Sequence, residues 1–456
     1  MLSRREPRPG ETARRLWGSG TFRPAFLGLL ALVILFLWWN AVRRGMAGPS
    51  SQIDNFLRFG RDLFVERVNV YEVYETSYTI TKYPPFFGVL FLPLVFLPPV
   101  TGISLWFWLN LVLSVIAAWL AVHVVAEPPP TATRPCWKIW LPYTMTAPVV
   151  ISNLETGQVN ILIVALLYGA LFLYTRERDW RGGFLLGMAT AVKLTSGLFI
   201  PYFLLKRQWR VVGGSAVGVL IAWVAVPMTL LGWTAYVDVH RGWLEKVAPF
   251  LAEGTYAEGL GGFRHTNQSL SAALQRTLAR TPAGGGREDF YVNVVSLSPG
   301  TVTTLVRLIG FGMLVGLGWL CRVRGDHRHG PQFGLECALV MIAALLLSPI
   351  SWINHYVVLL FPYVVAVHYV ATQPRTLPER RFMVIAAGSS FLLLLSSVSV
   401  ILQAFSLPFL GAIVLAVGLV VALSRERVRG TKPGSHLPPR GRGVVVHPPT
   451  CETRRS

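Results

Sequence analysis

Residues Pro24 to Val42 read PAFLGLLALVILFLWWNAV, an apolar run without a single charge. It is about as long as a helix must be to cross the roughly 30 Å hydrocarbon core of a bilayer. It is longer than the apolar stretch of a secretory leader and lacks a small-residue cleavage motif, so it is expected to persist as a first membrane helix. Apolar runs recur at 86–98, 102–125, 137–151, 159–174, 183–205, 211–232, 301–320, 333–350, 354–371, 382–402 and 405–424. In hydrocarbon each backbone N–H and C=O must find a partner within the protein, which makes the α-helix the solution for such runs. Composition agrees, with 53% hydrophobic and only 14% charged residues among 456, where soluble domains carry about 25% charged. The expected fold is all-α, a polytopic membrane helical bundle of about 11–13 segments. The membrane domain is expected over 24–424, between a basic cytoplasmic N-terminus at 1–23 and a disordered basic tail at 425–456 rich in Pro, Gly and Arg.

The net charge of +20 comes from 42 Lys and Arg against 22 Asp and Glu. Its placement argues against nucleic acid as a partner. The basic residues fall in short tags between apolar runs, at Arg176–Arg181, Lys206–Arg210, Arg322–His329 and Arg375–Arg381 and along the tail from Arg425. Such tags mark cytoplasmic loops and meet anionic lipid headgroups. Both termini are then cytoplasmic, in a multi-pass protein of the cell membrane. The four cysteines, Cys136, Cys321, Cys337 and Cys451, show no CxxC or zinc-ligand spacing, so free thiols and neither metal nor cofactor are expected. No nucleotide-binding loop is present, and Gly213-Gly214-Ser-Ala-Val-Gly218 lies inside an apolar run, where small residues serve helix packing.

Two runs resist the simple pattern. The 86–98 run is short and ends at Pro98-Pro99, so it is expected to dip in and return on the outer side. The 183–205 run carries Lys193 at its middle and basic tags at both ends, so it is expected to be two short helices in a hairpin. Interrupted helices at membrane depth occur where protein or a watery cavity solvates the backbone. Three loops then face outward, 43–85, 152–158 and 233–300, with a fourth turn near 350–354.

The polar exceptions gather on that outer face. Asp54, in SQIDNFLRFGRDLF, is a candidate general base, with Asp62, Glu66 and Glu72 as competitors. Ser152-Asn-Leu-Glu155-Thr-Gly157-Gln158-Val-Asn160 joins two apolar runs, and Glu155, Gln158 and Asn160 can hydrogen-bond sugar hydroxyls. A mid-run lysine costs ~2.5–3.5 kcal/mol on insertion scales, so Lys193 signals a site, with a lipid phosphate as its natural partner. Arg264, His265 and Asn267 form a polar cluster suited to phosphate or sugar. Trp352 and His355, in SPISWINH, offer a stacking surface and a phosphate contact.

Taken in order, these pieces resemble glycosyltransferase family 87, the polyprenol-phosphate-dependent mannosyltransferases of the GT-C superfamily. The resemblance rests on Asp54, on Tyr83-Pro84-Pro85, on Gly157-Gln158-Val-Asn160, on Lys193, on Asn267-Gln-Ser269 with Arg276, and on Ser348-Pro349-Ile-Ser351-Trp352 with His355. It covers about 50–360. It implies a GT-C fold with long extracytoplasmic loops and an inverting hexosyltransferase. That enzyme would move mannose from a polyprenyl-phosphate donor to a lipid or glycan acceptor. Asp54 would be the base, Lys193, Arg264 and His355 would hold the donor phosphate, and Glu155, Gln158, Asn160, His265, Asn267 and Trp352 would bind sugar or acceptor. The residues after Asp54 depart from the family's aromatic and small pattern, which keeps Asp62 as the alternative base. A membrane transporter or lipid flippase would also explain broken helices and a buried lysine. It would not explain polar clusters on one face only.

Overall fold

The computed structural model describes residues 22–48, 51–73, 83–125, 137–253, 262–284, 290–323, 328 and 330–430. The basic segment before Phe22, the tail from Thr431, and Cys136 and Cys451 lie outside them. Among the described residues seven helices are long and apolar enough to cross a membrane. They lie at Phe26–Gly45, Pro99–Val125, Trp209–Leu231, Pro299–Cys321, Ile353–Thr372, Pro378–Val398 and Leu407–Arg429. Three shorter apolar helices, Asn160–Thr175, Leu194–Leu205 and Pro331–Leu347, accompany them. Two more, Trp137–Thr156 and Asp179–Val192, pack among these. The result is the all-α polytopic bundle expected.

The principal helices are α1 (Phe22–Gly45), α2 (Gln52–Phe64), α3 (Pro99–Val125), α4 (Trp137–Thr156), α5 (Asn160–Thr175), α6 (Asp179–Val192), α7 (Phe199–Leu205), α8 (Trp209–Leu220), α9 (Trp233–Glu253), α10 (Leu270–Leu278), α11 (Pro299–Cys321), α12 (Pro331–Leu347), α13 (Leu360–Thr372), α14 (Pro378–Leu395) and α15 (Leu407–Gly430). The core sits between α3, α4, α5, α12, α13 and α15. Peripheral helices such as α1 and α11 turn large apolar side chains outward, among them Leu32, Phe36, Leu308 and Phe311, as a hydrocarbon solvent permits.

The hairpin at 183–205 is present, and its geometry follows from α6 and α8. A Cβ on Gly183 or Gly187 would run into the backbone carbonyl of Val211 or Ser215, and one on Gly214 would lie 2.5 Å from the Trp180 carbonyl. The two helices therefore touch backbone to backbone, in parallel register. The chain must return between them. It breaks at Lys193, whose backbone is extended (φ −149°, ψ 115°), and comes back through a 3₁₀ turn at Leu194–Leu198 and α7. The outward arm of 14 residues spans about 21 Å and the return arm about 20 Å, so they match.

The 86–98 segment folds into two single-turn helices, Phe86–Val89 and Leu92–Val95, packed under α2. Two outer loops contain more helix than the sequence reading placed there. Residues 43–85 include α2, and 233–300 include α9 and α10. The 152–158 turn is also shorter than expected, because α4 continues to Thr156. There Asn153 donates to the Val149 carbonyl (2.8 Å) and Thr156 to that of Ser152 (2.6 Å), which satisfies the polar side chains inside the last helical turn.

The basic tags meet at the opposite end of the bundle. Arg328 contacts Asp179 (2.6 Å) and Gln208 (3.4 Å), and Lys206 donates to the Val323 carbonyl (2.8 Å). α15 continues through Arg425, Arg427 and Arg429, the start of the segment expected as tail.

Candidate functional site

Gly157 makes the turn between α4 and α5 possible. Its φ of +67° is a left-handed conformation that glycine adopts at little cost. It also has no room for a side chain, since a Cβ would lie 2.7 Å from Ile53 of α2. Its carbonyl accepts from Trp106 of α3 (2.9 Å). Four helices thus meet at this turn.

From the turn a polar relay runs inward. Asn160, at the start of α5, donates to Asn153 Oδ1 (3.0 Å) and accepts from Lys193 Nζ (2.8 Å). Asn153 donates to the Asn354 carbonyl (2.8 Å). Ser152 donates to Asn354 Oδ1 (2.9 Å), and Asn354 Nδ2 reaches Thr156 (3.2 Å). The sequence reading quoted Asn153 and Asn354 within their motifs without assigning them a role, yet they tie the 152–160 turn to the 348–355 segment.

Lys193, Asn160 and His355 line one cavity of about 50 Å³, together with Thr195, Ser196, Ser348 and Ser351. The remaining wall is apolar, with Ile163, Leu167, Phe199, Met341 and Val358 among its residues. The break at Lys193 and the irregular segment before α13 therefore open onto the same space, whereas the 86–98 segment, the other run singled out from sequence, does not line it. His355 meets the Ile350 carbonyl through Nδ1 (3.1 Å), and its ring stacks on Trp352 with centroids 6.0 Å apart.

The 262–276 segment is zipped to the same place. Asn267 pairs with Trp352 in an isolated bridge, and Gln268 N–H donates to the Ser351 carbonyl (2.7 Å). The Asn267 side chain donates to the Gly262 and Pro349 carbonyls and accepts from the Ser269 and Ser351 N–H groups. All four of its hydrogen-bonding positions are used. Contrary to the expectation from sequence, it has none left for a sugar, and its work is to hold two loops together. His265 is buried beside the Ala283 carbonyl (3.2 Å), and burial, with Arg276 and Arg264 nearby, pushes its pKa down. Arg264 is exposed, and its guanidinium has no partner among the described residues.

Asp54 is not among the residues that line this cavity; it lies in the first turn of α2, one residue from the Ile53 that covers Gly157. Ser51 caps the helix by accepting from Asp54 N–H (3.3 Å). Under α2 an aromatic cluster of Phe56, Phe59, Tyr83, Phe87 and Phe91 fixes its position, with Tyr83 and Phe87 stacked at 3.9 Å. Arg58 Nε contacts Asp54 Oδ2 at 2.8 Å, and Arg44 reaches Glu155 at 3.2 Å. Neither arginine was singled out from sequence. Gln158 is buried beside the turn, and its carbonyl oxygen has no hydrogen-bond partner among the described residues. Asp62 is about 12 Å further along α2, away from the turn. Among the described residues no three His, Cys, Asp or Glu side chains gather as a metal site.

This is a largely apolar slot inside a membrane bundle, with an ammonium and an imidazole in its wall. The sequence model of glycosyltransferase family 87 matches residues 81–349. The chain belongs to glycosyltransferase family 87. The stretch matched to family 87 includes the 152–160 turn, Lys193 and the 262–276 segment. Asp54 lies before it, and Trp352 and His355 lie beyond it. A polyprenol-phosphate-mannose-dependent alpha-(1-2)-phosphatidylinositol mannoside mannosyltransferase of Mycolicibacterium smegmatis is 29% identical over 290 residues, 60% of this chain and 59% of that protein. The pentamannoside mannosyltransferase of the same organism, named as using the same donor, is 30% identical over 282 residues, 60% and 58% of the two chains. An alpha-(1->3)-arabinofuranosyltransferase of Corynebacterium glutamicum is 28% identical over 201 residues, 42% and 44%. The chain thus spans about three fifths of the length of the mannosyltransferases it matches. No solved structure matches it.

Proposed function

We propose that this family 87 protein transfers mannose from a polyprenyl-phosphate donor to a lipid or glycan acceptor at the extracytoplasmic face of the cell membrane. The observation that carries this reading is Lys193, at the break of an intramembrane hairpin, in a cavity whose deeper wall is apolar. A lipid phosphate has the matching chemistry, a dianionic or monoanionic head on a hydrocarbon tail. Lys193, His355 and Arg264 hold the phosphate. Trp352 offers its ring to the sugar, and Glu155, Gln158, Asn160 and His265 bind sugar or acceptor in this reading. The names of the mycobacterial relatives support the donor and suggest a phosphatidylinositol mannoside as acceptor. The side follows from the basic tags. They gather at the end opposite the cavity, which the positive-inside rule places in the cytoplasm.

The reaction is an inverting displacement. The acceptor hydroxyl oxygen attacks the anomeric carbon, the bond from that carbon to the phosphate oxygen breaks, and polyprenyl phosphate leaves with the electron pair. The hydroxyl proton passes to Asp54. Phosphate is a good leaving group, so the base is the proton acceptor that matters most.

The test uses purified protein in lipid nanodiscs with radiolabelled polyprenyl-phosphate mannose and mycobacterial lipid extract. Labelled glycolipid is the expected product. Lys193→Gln should raise the donor KM by about tenfold or more, the value of one charge-assisted contact. Saturable donor binding without any transfer would reject the enzymatic reading.

A further inference from the structure

Arg276, on α10, is wholly buried, and among the described residues it meets no carboxylate. Its guanidinium instead donates to five neutral acceptors. Nη1 donates to the carbonyls of Phe263 (3.0 Å), Arg264 (2.8 Å) and Asn267 (2.7 Å). Nε donates to the Ala404 carbonyl (3.1 Å), and Nη2 to Ser406 Oγ (2.6 Å). The first three bracket Arg264 and His265. The last two belong to the corner between the short helix Val400–Ala404 and α15. Ser406 has φ +59°, a left-handed conformation uncommon outside glycine. Gln268 makes a second bridge between the same two places, donating to the His265 carbonyl (2.5 Å) and the Gln403 carbonyl (2.7 Å). Ser269 closes the arrangement by donating to Pro349 (3.2 Å) while capping α10.

A planar fork of five donors can satisfy this set of acceptors, and an ammonium cannot. The corner at 403–406 lies well beyond the stretch matched to family 87, which ends at 349. We propose that Arg276 is a positioning residue that locks the Arg264–His265 loop to the 403–406 corner of the membrane bundle. The clamp fixes where the loop's phosphate-binding groups stand. It therefore sets donor affinity without touching substrate. For its kinetic readout this inference rests on the proposed function, while its structural readout does not.

Ser406→Gly and Arg276→Lys test it. Glycine suits the positive φ at 406, so Ser406→Gly removes one acceptor of the clamp without harming the backbone. A purely structural serine would give a variant that melts lower than the parent but binds donor equally well. The clamp predicts a donor KM raised several-fold with an unchanged acceptor KM, whatever the change in melting temperature. Arg276→Lys keeps the charge and loses the fork, and donor KM should rise about tenfold or more. Amide hydrogen exchange of residues 263–269 in the full chain is measured alongside. It should quicken in both variants even if the parent proves to transfer no sugar, so failure of the two readings can be told apart. Parent-like exchange at 263–269 and parent-like donor KM in Ser406→Gly would overturn the proposal.

Discussion

Asp54 stands where a helix start favours negative charge, in the first turn of α2. Its contact with Arg58 holds the carboxylate in one orientation. Replacing it with Asn keeps the shape and removes the basicity, so Asp54→Asn should lower kcat by about 10²–10⁴ and leave donor binding intact. Asp62→Asn, two turns along the helix, should retain parent activity, and the paired assay decides between them. His265 gives a pH effect of fixed sign. Its pKa lies below the ordinary value because burial disfavours the charged form. The stability it contributes is therefore present above about pH 6.5 and lost as pH falls through its lowered pKa. Thermal melts from pH 7.5 to 5 should show a larger drop in the parent than in His265→Gln. At this scale the sequence showed which polar residues were out of place in an apolar chain. It could not show that Asn267 is saturated or that Arg44 faces Glu155, because those facts depend on partners distant in sequence, while the Asp54–Arg58 pair, four residues apart, becomes readable only once that stretch is known to be a helix.

The hairpin around Lys193 was legible because a lysine cannot sit in the middle of a lipid-facing helix and because both flanks are basic. The glycine-rich run at 213–218 was legible as a packing surface, and its partner is the Gly183–Gly187 face of α6. A Cβ on Gly187 would collide with the Ser215 carbonyl and lie 3.0 Å from Gly218 Cα, both backbone atoms that cannot step aside. Gly187→Ala should cost about 1–3 kcal/mol, the usual range for overpacking, read as a lower melting temperature in detergent. Gly312→Ala on α11, where nothing lies within 4 Å, should cost nothing. The helices in the outer loops were harder to see. α2 carries Ile53, Phe56, Phe59, Gly60 and Leu63 at helical spacing, a pattern short enough to pass for a loop. α9 buries Val239, Trp243 and Val247 and exposes Asp238, Arg241 and Glu245, so it lacks the continuous apolar run that marks a spanning helix.

Across the whole molecule the two ends differ in chemistry. One end carries the cavity and the polar relay. The other is closed by ion pairs centred on Glu336, whose side chain is 2% exposed. Lys206 Nζ approaches it at 2.7 Å, Arg427 at 3.0 Å, and the Tyr202 hydroxyl donates to it at 3.0 Å. These partners join α12 to the return arm of the hairpin and to α15, and both α12 and the return arm continue into the cavity wall. Glu336→Gln would leave two buried cations short of their anion. It should destabilise the fold by about 3–5 kcal/mol, and the melting temperature of the variant checks this. The same division into ends bears on the central claim, that the cavity end is a glycosyl-transfer site served by a lipid phosphate. The most direct measurement is single-turnover transfer from radiolabelled polyprenyl-phosphate mannose to lipid acceptor by the full chain in nanodiscs, with Asp54→Asn and Lys193→Gln run beside the parent. The account predicts labelled glycolipid from the parent, donor bound but transfer slowed by about 10²–10⁴ in Asp54→Asn, and product from Lys193→Gln only at raised donor concentration. No product from the parent, or parent-level product from Asp54→Asn, would contradict it.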